Sequence, residues 1–306
     1  MDIDPDKLLI TDRQKVIEVN GKTKEQVDRD IDIILEWFKT QKHLPETLSR
    51  NAIQRYLVIT KFSIERTKKL CDMYYTARTL LPDFFTYCNP REDGQKIYME
   101  KIMYYFPLSK LTKDFYRVNI VKYRDFDYPD YNLLRYLALV QIIFEIMIQE
   151  ELSMGDIIVI DLKYVNKTHV LKTTPTQMKM SNFFLEQLWA NRVKAIHFIN
   201  VPTYAEMLIS LAKTVVKKKI KERLFVHASN EQLFEHVPRE FLPKDYGGGE
   251  RSLDELNELW RLKMERYQPR YEQLQKLKVN EALRPEPLVN SDILGYYGNF
   301  KKIDFD

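Results

Sequence analysis

A dense group of cationic side chains is the feature of this sequence best suited to chemistry. Its members, all within residues 213–223, are Lys213, Lys217, Lys218, Lys219, Lys221 and Arg223. Glu222 is the one acid in that stretch. Cations at a helix C-terminus gain about 0.3–1 kcal/mol each from the helix macrodipole, which accounts for one or two of them. Basic residues near an anionic membrane gain about 1 kcal/mol each, so the whole group is suited to binding phosphate groups or an anionic lipid surface.

Nucleic acid is another polyanion that a basic helix could contact. The net charge of the chain is only +4, however, so the basic group is a local excess. The residues just before it are apolar, and no helix-turn-helix, zinc-finger or aromatic stacking pattern accompanies it. We therefore expect no nucleic-acid partner.

Catalytic and metal-binding patterns are weak in this chain. His197 and His227 lie in two predicted neighbouring strands and could meet, but no carboxylate or thiol clearly completes a metal site around them. Residues 247–249 are three glycines without the Lys-Ser/Thr of a phosphate loop, which indicates a turn. The chain has no Gly-x-Ser-x-Gly nucleophile motif. We predict no catalytic residue, no metal and no cofactor, and hence a protein that is not an enzyme.

Composition gives three expectations about the compartment. Cys71 and Cys88 are too few for a disulfide framework, which fits a reducing compartment. The first six residues are acidic and contain no apolar segment, so we expect no secretory signal. The longest apolar run, residues 133–148, is interrupted by polar residues and is shorter than the roughly 20 residues needed to span a bilayer. Together these features indicate a cytoplasmic protein.

Helix starts are marked by five matches to the capping-box pattern, in which a Ser or Thr is followed three residues later by Glu or Gln. The matches are Thr23 with Gln26, Thr174 with Gln177, Thr203 with Glu206, Ser229 with Gln232 and Ser252 with Glu255. Apolar stripes after Thr23 and over residues 50–79 predict that residues 1–90 are all helical. A charged helix is predicted from Ser252 to about Lys278.

The middle of the chain has the pattern of an α/β fold. Residues 117–123 alternate in polarity like a strand, and residues 157–162 form a continuous β-branched run that is typical of a buried parallel strand. Residues 195–199 and 224–227 are two further predicted strands, separated by helices at βαβ spacing. We therefore predict a mostly parallel sheet with helices packed on it.

The helix before the basic group is apolar almost all round between Tyr204 and Val216. Such a helix needs an apolar neighbour on each side. It could be an ordinary helix inside the core, or a lid with a ligand on its inner face and lipid on its outer face. The pattern alone leaves both interpretations open.

Several short motifs resemble the CRAL-TRIO lipid-binding family, most closely its tocopherol-transfer and retinaldehyde-binding branch. The matching segments follow the family's order, and they are residues 55–57, 61–62, 161–162, 174–175, 195–200 with Pro202, 219–223, 242–243 and 246–248. Each is weak alone, but together they are specific and cover nearly the whole chain. The tail at residues 298–303 is similar to that of insect members. The resemblance also implies a structural role for Asp161.

The resemblance implies a three-part α/β protein. Residues 1–90 would form an N-terminal helical domain, residues 91–250 the CRAL-TRIO domain, and residues 251–306 a C-terminal helix and tail. The sheet would form the floor of an apolar pocket, closed by a lid helix from about Val201 to Arg223. The pocket-lining residues we predict are Leu137, Val140, Phe144, Ile158, Ile160, Leu171, Thr173, Phe184, Leu185, Leu188 and Val193, with Met207, Leu208 and Leu211 on the lid.

Two sites of the family, the pocket and the phosphoinositide cleft, differ in this chain. Val140 and Phe144 stand where the tocopherol site has serines, and a ligand hydroxyl left without its partner costs about 1–3 kcal/mol, so tocopherol is not the expected cargo. The family's phosphoinositide cleft corresponds here to the cationic residues Arg192, Lys194, Lys219 and Arg223. Where the family's cleft has a further arginine, this chain has Thr60. The adjacent Lys61 is the fifth contact that we predict.

The function implied by the resemblance is intracellular carriage. A cytoplasmic monomer would hold one small hydrophobic ligand, such as a retinoid, a tocol or a similar lipid, and would transfer it at membranes that contain phosphoinositides. Two alternatives stay open. One is exchange or sensing of phosphatidylinositol or another phospholipid, and the other is an adaptor that exchanges nothing.

Overall fold

A computed structural model describes residues 4–125 and 132–288 of the chain. The α-helices in this part are α1 (Arg13–Val19), α2 (Lys24–Thr40), α3 (Arg50–Ile59), α4 (Ile64–Leu80), α5 (Pro82–Thr86), α6 (Asp93–Ile97), α7 (Leu133–Glu150), α8 (Lys167–Lys172), α9 (Pro175–Phe183), α10 (Glu206–Val215), α11 (Lys218–Lys221), α12 (Asn230–Phe234), α13 (Leu253–Arg266) and α14 (Gln268–Leu274). The strands are β1 (Met103–Leu111), β2 (Tyr116–Tyr123), β3 (Gly155–Asp161), β4 (Val193–Ile199) and β5 (Leu224–Val226). The tail at residues 298–303 lies outside the described residues.

Capping chemistry fixes three of the five predicted helix starts. Thr23, Thr174 and Ser252 each form a complete capping box with the residue three positions later. At Ser229 the predicted helix start is confirmed, because α12 begins at the next residue, but the Ser229 side chain makes no cap hydrogen bond. The prediction is wrong at Thr203, which is not an N-cap residue. Thr203 instead begins a 3-10 turn, Thr203–Ala205, that leads into α10.

The N-terminal part is helical up to Ile97, as predicted, but the region from residue 50 to residue 79 contains a sharp turn between α3 and α4. Lys61 and Phe62 both have left-handed backbone conformations there, with φ of 57° and 60°. Such φ values are rare outside glycine and persist where the surrounding structure imposes them. The Thr60 hydroxyl, buried in the turn, shares a 2.7 Å hydrogen bond with that of Thr67.

The five strands form one sheet in the order β1-β2-β3-β4-β5. β1 is antiparallel to β2, and each later pair is parallel, which confirms the predicted mostly parallel sheet. β1 was not predicted from the sequence. Its residues are buried without the alternation that marks a half-buried strand, so period-two patterning does not reveal it.

The residues after the glycine turn pack onto this sheet. Gly247 adopts the left-handed conformation predicted for a turn, with φ of 77°. α13 then packs against β1, and the Trp260 indole Nε1 donates a 3.2 Å hydrogen bond to the Pro107 carbonyl. No helix within residues 4–125 and 132–288 combines the length and the apolar composition that a bilayer crossing requires.

Gly155 joins the start of β3 to the segment before β4. Its φ is 139°, and a Cβ atom there would lie 2.1 Å from the Arg192 carbonyl oxygen. The next residue, Asp156, donates its backbone N–H to that same oxygen at 3.0 Å. Glycine is therefore required for both the dihedral angle and the close approach.

Replacing this glycine tests the close approach. We expect Gly155→Ala to lower the free energy of unfolding by about 3 kcal/mol or more, because the methyl group collides with backbone. Gly21→Ala is the matched control, since Gly21 also has positive φ but nothing lies within 4 Å of its added Cβ. It should cost only the dihedral penalty, about 1–2 kcal/mol. Urea unfolding of both variants measures the difference, and equal losses would contradict this account.

Candidate functional site

A cationic cleft of about 500 Å³ opens beside the N-terminal helices. Its charged lining comes from the α3–α4 turn, from α4, from the residues between α9 and β4, and from residues 217–223, which include α11. The cationic lining residues are Lys61, Arg66, Lys69, Arg192, Lys217, Lys219 and Arg223. Glu186 is the one acid in the lining, and its carboxylate lies 2.6 Å from Lys217 Nζ. None of the other six cations forms an ion pair within the part of the chain that the structure describes.

Strand direction explains why distant residues meet in this cleft. Arg192 directly precedes β4 and Arg223 directly precedes β5, and these two strands are parallel. The amino ends of parallel strands lie at the same edge of a sheet. Arg223 also donates a hydrogen bond from its guanidinium to the Val193 carbonyl, which fixes the side chain beside Arg192.

The N-terminal helices supply the rest of the charge. Lys61 reaches the cleft from the left-handed turn between α3 and α4. Thr60 lines the cleft too, but its hydroxyl is already bonded to Thr67. Arg66 and Lys69, on the first turns of α4, were missed by the sequence analysis. Their three-residue spacing on one helix face is the signal that could have identified them.

Lys194 is the predicted contact that the cleft does not include. It lies on β4, is exposed, and holds its Nζ 5.3 Å from the centre of the Tyr116 ring. The structure thus brings Lys61, Arg192, Lys219 and Arg223 together and separates Lys194 from them.

An incompletely covered apolar face lies on the central strand of the sheet. Ile158 and Ile160 are only half-buried, whereas Val159 between them is fully buried. The register places Ile158 beside Ile196 and Ile160 beside Phe198, so the four side chains share one face. We call these four residues the open face.

The α10 helix packs over the open face. Ala205 and Ile209 are buried, and Leu208 is half-buried, in the same apolar cluster as Ile196 and Phe198. The predicted single lid helix from Val201 to Arg223 is wrong. A 3-10 turn precedes α10, and extended backbone at Val216 and Lys217 separates α10 from α11. The break falls where β-branched residues meet a run of like charges, and both disfavour a continuous helix.

The other predicted lining residues fall into three groups. Leu137, Val140 and Phe144 on α7 are buried in the main core. Phe184, Leu185 and Leu188 lie in a π-helical turn, Phe184–Leu188, that continues α9 and packs on that core. Val193 is buried with the open face, and Leu211 is half-buried on α10.

Three of the predicted lining residues are not buried apolar residues: Thr173 is polar, and Leu171 and Met207 are exposed. The Thr173 hydroxyl donates to the His169 carbonyl at 2.8 Å, so its donor is already used. Leu171 is 77% exposed and Met207 is 57% exposed. Val170, next to Leu171, and Ile209, two residues after Met207, are buried instead, because positions one or two apart on a helix point in different directions. Leu171, Met207 and Tyr204, which is 39% exposed, form what we call the apolar patch.

The predicted meeting of two histidines is confirmed. His197 Nδ1 lies 2.8 Å from His227 Nε2, and the ring of His236, which was not predicted, lies 5.2 Å and 5.4 Å from theirs between centroids. No group of three or more potential ligands in the described ranges could hold a metal ion. Burial, followed by repulsion from His227 and His236, lowers the pKa of His197 to about 3.

This shift makes folding pH-dependent. The unfolded histidine binds a proton below about pH 6.5, whereas folded His197 resists protonation until about pH 3, so stability falls as pH drops through that window. Between pH 7 and pH 5 we expect His197 to account for a loss of about 1–2 kcal/mol, reduced from the full shift by partial solvent access. His197→Asn keeps a hydrogen-bonding group near the Nδ1 position and should flatten this dependence. Urea unfolding at both pH values tests it, and identical slopes for the two proteins would refute it.

Asp161 at the end of β3 is fully engaged by its surroundings. Lys122 Nζ lies 2.9 Å from Oδ2, which also accepts from the Tyr246 hydroxyl at 3.1 Å. Oδ1 accepts from Asn200 Nδ2 and from the Lys163 backbone N–H, both at 3.0 Å. These contacts join β2, β3 and the glycine turn, which is a structural role.

Two family models match the chain. One is the Pinta-like UBA domain, over residues 23–95, and the other is the CRAL/TRIO domain, over residues 102–248. Clavesin-1 of Rattus norvegicus is 27% identical over 201 residues, which cover 64% of this chain and 56% of that protein. Clavesin-2 of Homo sapiens is 26% identical over 201 residues, which cover 64% of this chain and 61% of that protein. The chain thus spans less than two thirds of the length of these relatives.

Among solved structures, the crystal structure of Sfh5 aligns with a TM-score of 0.45 and 14% sequence identity. The alignment covers 87% of this chain and 99% of that one.

Proposed function

Residues 102–248 belong to the CRAL/TRIO domain family, and from this premise we propose that the chain carries one small hydrophobic molecule and releases it at an anionic membrane. The observation that carries the proposal is the connection between the cleft and the helix that covers the open face. Lys217 and Lys219 in the cleft follow α10 directly in the chain. An anion bound in the cleft therefore contacts the segment that holds α10 in place.

The cleft has the charge required for a phosphorylated lipid headgroup. Seven cations and one acid in a cleft of about 500 Å³ favour a ligand with several negative charges. We propose that Arg66 and Lys69 supply the positive charge that the family's arginine, at the position of Thr60, would otherwise provide. We propose Lys61, Arg192, Lys219 and Arg223 as the phosphoinositide contacts, and Lys194 as a more distant surface charge.

The cargo site we propose lies between the open face and α10. Apolar burial at about 25 cal/mol per Å² of ligand surface supplies affinity without directional contacts. Val140 and Phe144 replace the serines of the tocopherol site and offer no hydroxyl to a ligand, so a retinoid or another slender lipid is the proposed cargo. The tocopherol-transfer and retinaldehyde-binding branch remains our proposal for the position of the chain within the family.

The membrane would be contacted at both ends of α10. The apolar patch of Leu171, Tyr204 and Met207 lies near its N-terminal end, and the cationic cleft lies beyond its C-terminal end. Exposed apolar side chains next to basic ones are the pattern of a protein that rests on a membrane reversibly. We propose that the protein is a cytoplasmic monomer when it carries its cargo.

Exchange or sensing of a phospholipid is the second candidate, and the charge of the cleft favours it. Mass spectrometry of organic extracts from protein purified from its native tissue separates the candidates. A retinoid, tocol or sterol at one per chain supports carriage of a small lipid. Phospholipid alone supports exchange, and an empty, packed interior supports an adaptor.

Charge reversal in the cleft tests the release step. We expect Lys219→Glu/Arg223→Glu to slow transfer of retinol to vesicles containing phosphatidylinositol phosphate by about 10-fold or more, because each basic residue near the surface contributes about 1 kcal/mol. Retinol binding in solution should not change. The measurement is stopped-flow fluorescence with and without the phosphoinositide.

The control for this variant is Lys24→Glu/Arg29→Glu. Both residues are exposed on α2 and lie outside the cleft lining, so the change in net charge is the same. The control should transfer retinol at the wild-type rate. If both double variants slow transfer equally, only overall charge matters and the cleft has no special role.

Substitutions at two adjacent residues of α10 distinguish ligand binding from membrane contact. Leu208 is half-buried against the open face, and Met207 is exposed. We expect Leu208→Asp to weaken retinol binding by about 10-fold or more, because a carboxylate is costly on an apolar wall. Met207→Asp should leave binding within about two-fold, while it weakens adsorption to anionic vesicles. Fluorescence titration and vesicle sedimentation measure the two effects, and a reversed pattern would refute the assigned orientation of α10.

A further inference from the structure

Three histidines meet on the face of the sheet that is opposite to the open face. His197 lies between Ile196 and Phe198 on β4, so its side chain is directed away from the side that α10 covers. His227 follows β5 directly, and His236 lies two residues after α12. The chain contains five histidines, so most of them are gathered at this one place. We call these three residues the histidine cluster.

Strand β5 is the element that covers His197. The Phe225 ring stacks on the His197 ring, with 5.2 Å between the centroids and 18° between the planes. His227 Nε2, just after the same strand, lies 2.8 Å from His197 Nδ1. His197 is only 1% exposed. Separation of β5 from β4 would therefore expose His197 to water and break its hydrogen bond.

No carboxylate neutralises a positive charge on the histidine cluster. Within residues 4–125 and 132–288, no ion pair joins any of the three rings to an acid. Asp161 on β3 lies beside Ile199, two residues from His197, but it is held by Lys122 at 2.9 Å. Burial, followed by repulsion between the histidines, lowers the pKa of His197. The closed arrangement of β4 and β5 thus resists protonation.

The histidine cluster meets solvent through a cavity of about 680 Å³ beside His227. Glu206 and Lys213 of α10 line this cavity with opposite charges. Burial, followed by repulsion from His236, lowers the pKa of His227, and the charge of Glu235 offsets only part of this effect. Protons can therefore reach the cluster from solvent, but the closed arrangement disfavours their binding.

We propose that the histidine cluster is an acid-sensitive switch, in which proton uptake separates β5 from β4 and lets α10 leave the open face. Acid favours the open form because exposed histidines bind protons that the closed cluster excludes. The surface potential of an anionic leaflet, about −30 mV, concentrates protons about three-fold at the place of release. This inference rests on the proposed carrier function and adds a condition for its release step.

The size of the effect can be derived from His197 alone. With a pKa of about 3 in the closed form, His197 binds almost no proton at pH 5.5. An exposed histidine has a pKa of about 6.5 and is mostly protonated at that pH. A change from pH 7.5 to pH 5.5 therefore raises the ratio of open to closed protein by about 10-fold. Proton uptake by His227 would add to this value.

Hydrogen exchange followed by mass spectrometry tests the switch without any lipid. The full chain is compared at pH 7.5 and pH 5.5, and each rate is corrected for the pH dependence of exchange itself. We expect peptides from α10 and β5 to be less protected than peptides from β2 and β3 at both pH values. Their opening equilibrium should rise by about 10-fold at pH 5.5. A pH-independent opening, or equal protection of β5 and β3, would overturn the inference.

Replacing His197 makes this test specific. His197→Asn removes the group that takes up the proton, so opening of α10 and β5 should change by less than about three-fold between the two pH values. His43→Asn is the matched control, because His43 is also buried but bonds to Asp72 among the N-terminal helices. The control should keep the 10-fold rise. Thermal unfolding at pH 7.5 confirms that each variant is folded.

His236→Gln is a second variant, at an exposed position where substitution leaves the core intact. Repulsion from His236 helps to exclude protons from the closed cluster, so its removal should reduce the acid effect as well. If both His197→Asn and His236→Gln keep the full 10-fold rise, acid acts elsewhere in the protein and the switch is refuted.

Retinol transfer separates the switch from the carrier proposal. Transfer to neutral phosphatidylcholine vesicles is followed by stopped-flow fluorescence at both pH values. Wild type should transfer about 10-fold faster at pH 5.5, whereas His197→Asn should show little change. If retinol does not bind but exchange reveals acid-dependent opening, carriage of retinol fails and the switch is supported. If retinol binds and its transfer rate does not depend on pH, carriage stands and the switch is refuted.

Discussion

Parallel pairing of β4 with β5 is the constraint on which the proposed site depends. Two adjacent parallel strands require a crossover connection that returns the chain to the starting edge. Here that connection is α10 and α11, so the segment over the open face also delivers the lysines to the edge where Arg192 and Arg223 lie. The helix that covers the open face and three of the cleft's cations, Lys217, Lys219 and Arg223, therefore belong to one crossover, so they are joined by the same short stretch of backbone.

A buried network ties the N-terminal helices to this sheet. Arg78 on α4 pairs with Glu145 on α7, and Glu145 also accepts from the Tyr74 hydroxyl and from Gln141 at 2.5 Å. Gln141 in turn accepts from the indole of Trp189 at 2.7 Å, just before the segment that carries Arg192. Charges this deeply buried are tolerated because each has several partners. The network gives α4 a fixed position, from which Arg66 and Lys69 reach the cleft.

Most of the fold could be predicted from the sequence, but less of the candidate site could. Strands β2 to β5 were predictable because β-branched runs and helical segments alternate at βαβ spacing, whereas β1 lacks a period-two pattern. Lys219 and Arg223 stand out as charge in the sequence, but Arg66 and Lys69 do not, because their proximity arises from packing between α4 and the segment before β4. Leu171 and Met207 were predicted to line the pocket but are exposed, and the buried residues near them are Val170, one position away, and Ile209, two positions away. A helix that is apolar on several sides does not reveal which face turns inward.

The short strand β5 determines how easily α10, the helix over the open face, can separate from the sheet. This strand pairs through only three residues, Leu224 to Val226, at the outer edge of the sheet. Local openings of a protein follow the number of interactions that must break, and an edge strand with three pairs belongs to the low-energy end of that range. The proposed release step therefore requires only α10, α11 and β5 to detach, while β1 to β4 stay folded. In the proposed carrier, such a hierarchy would let α10 move away from the open face repeatedly without global unfolding.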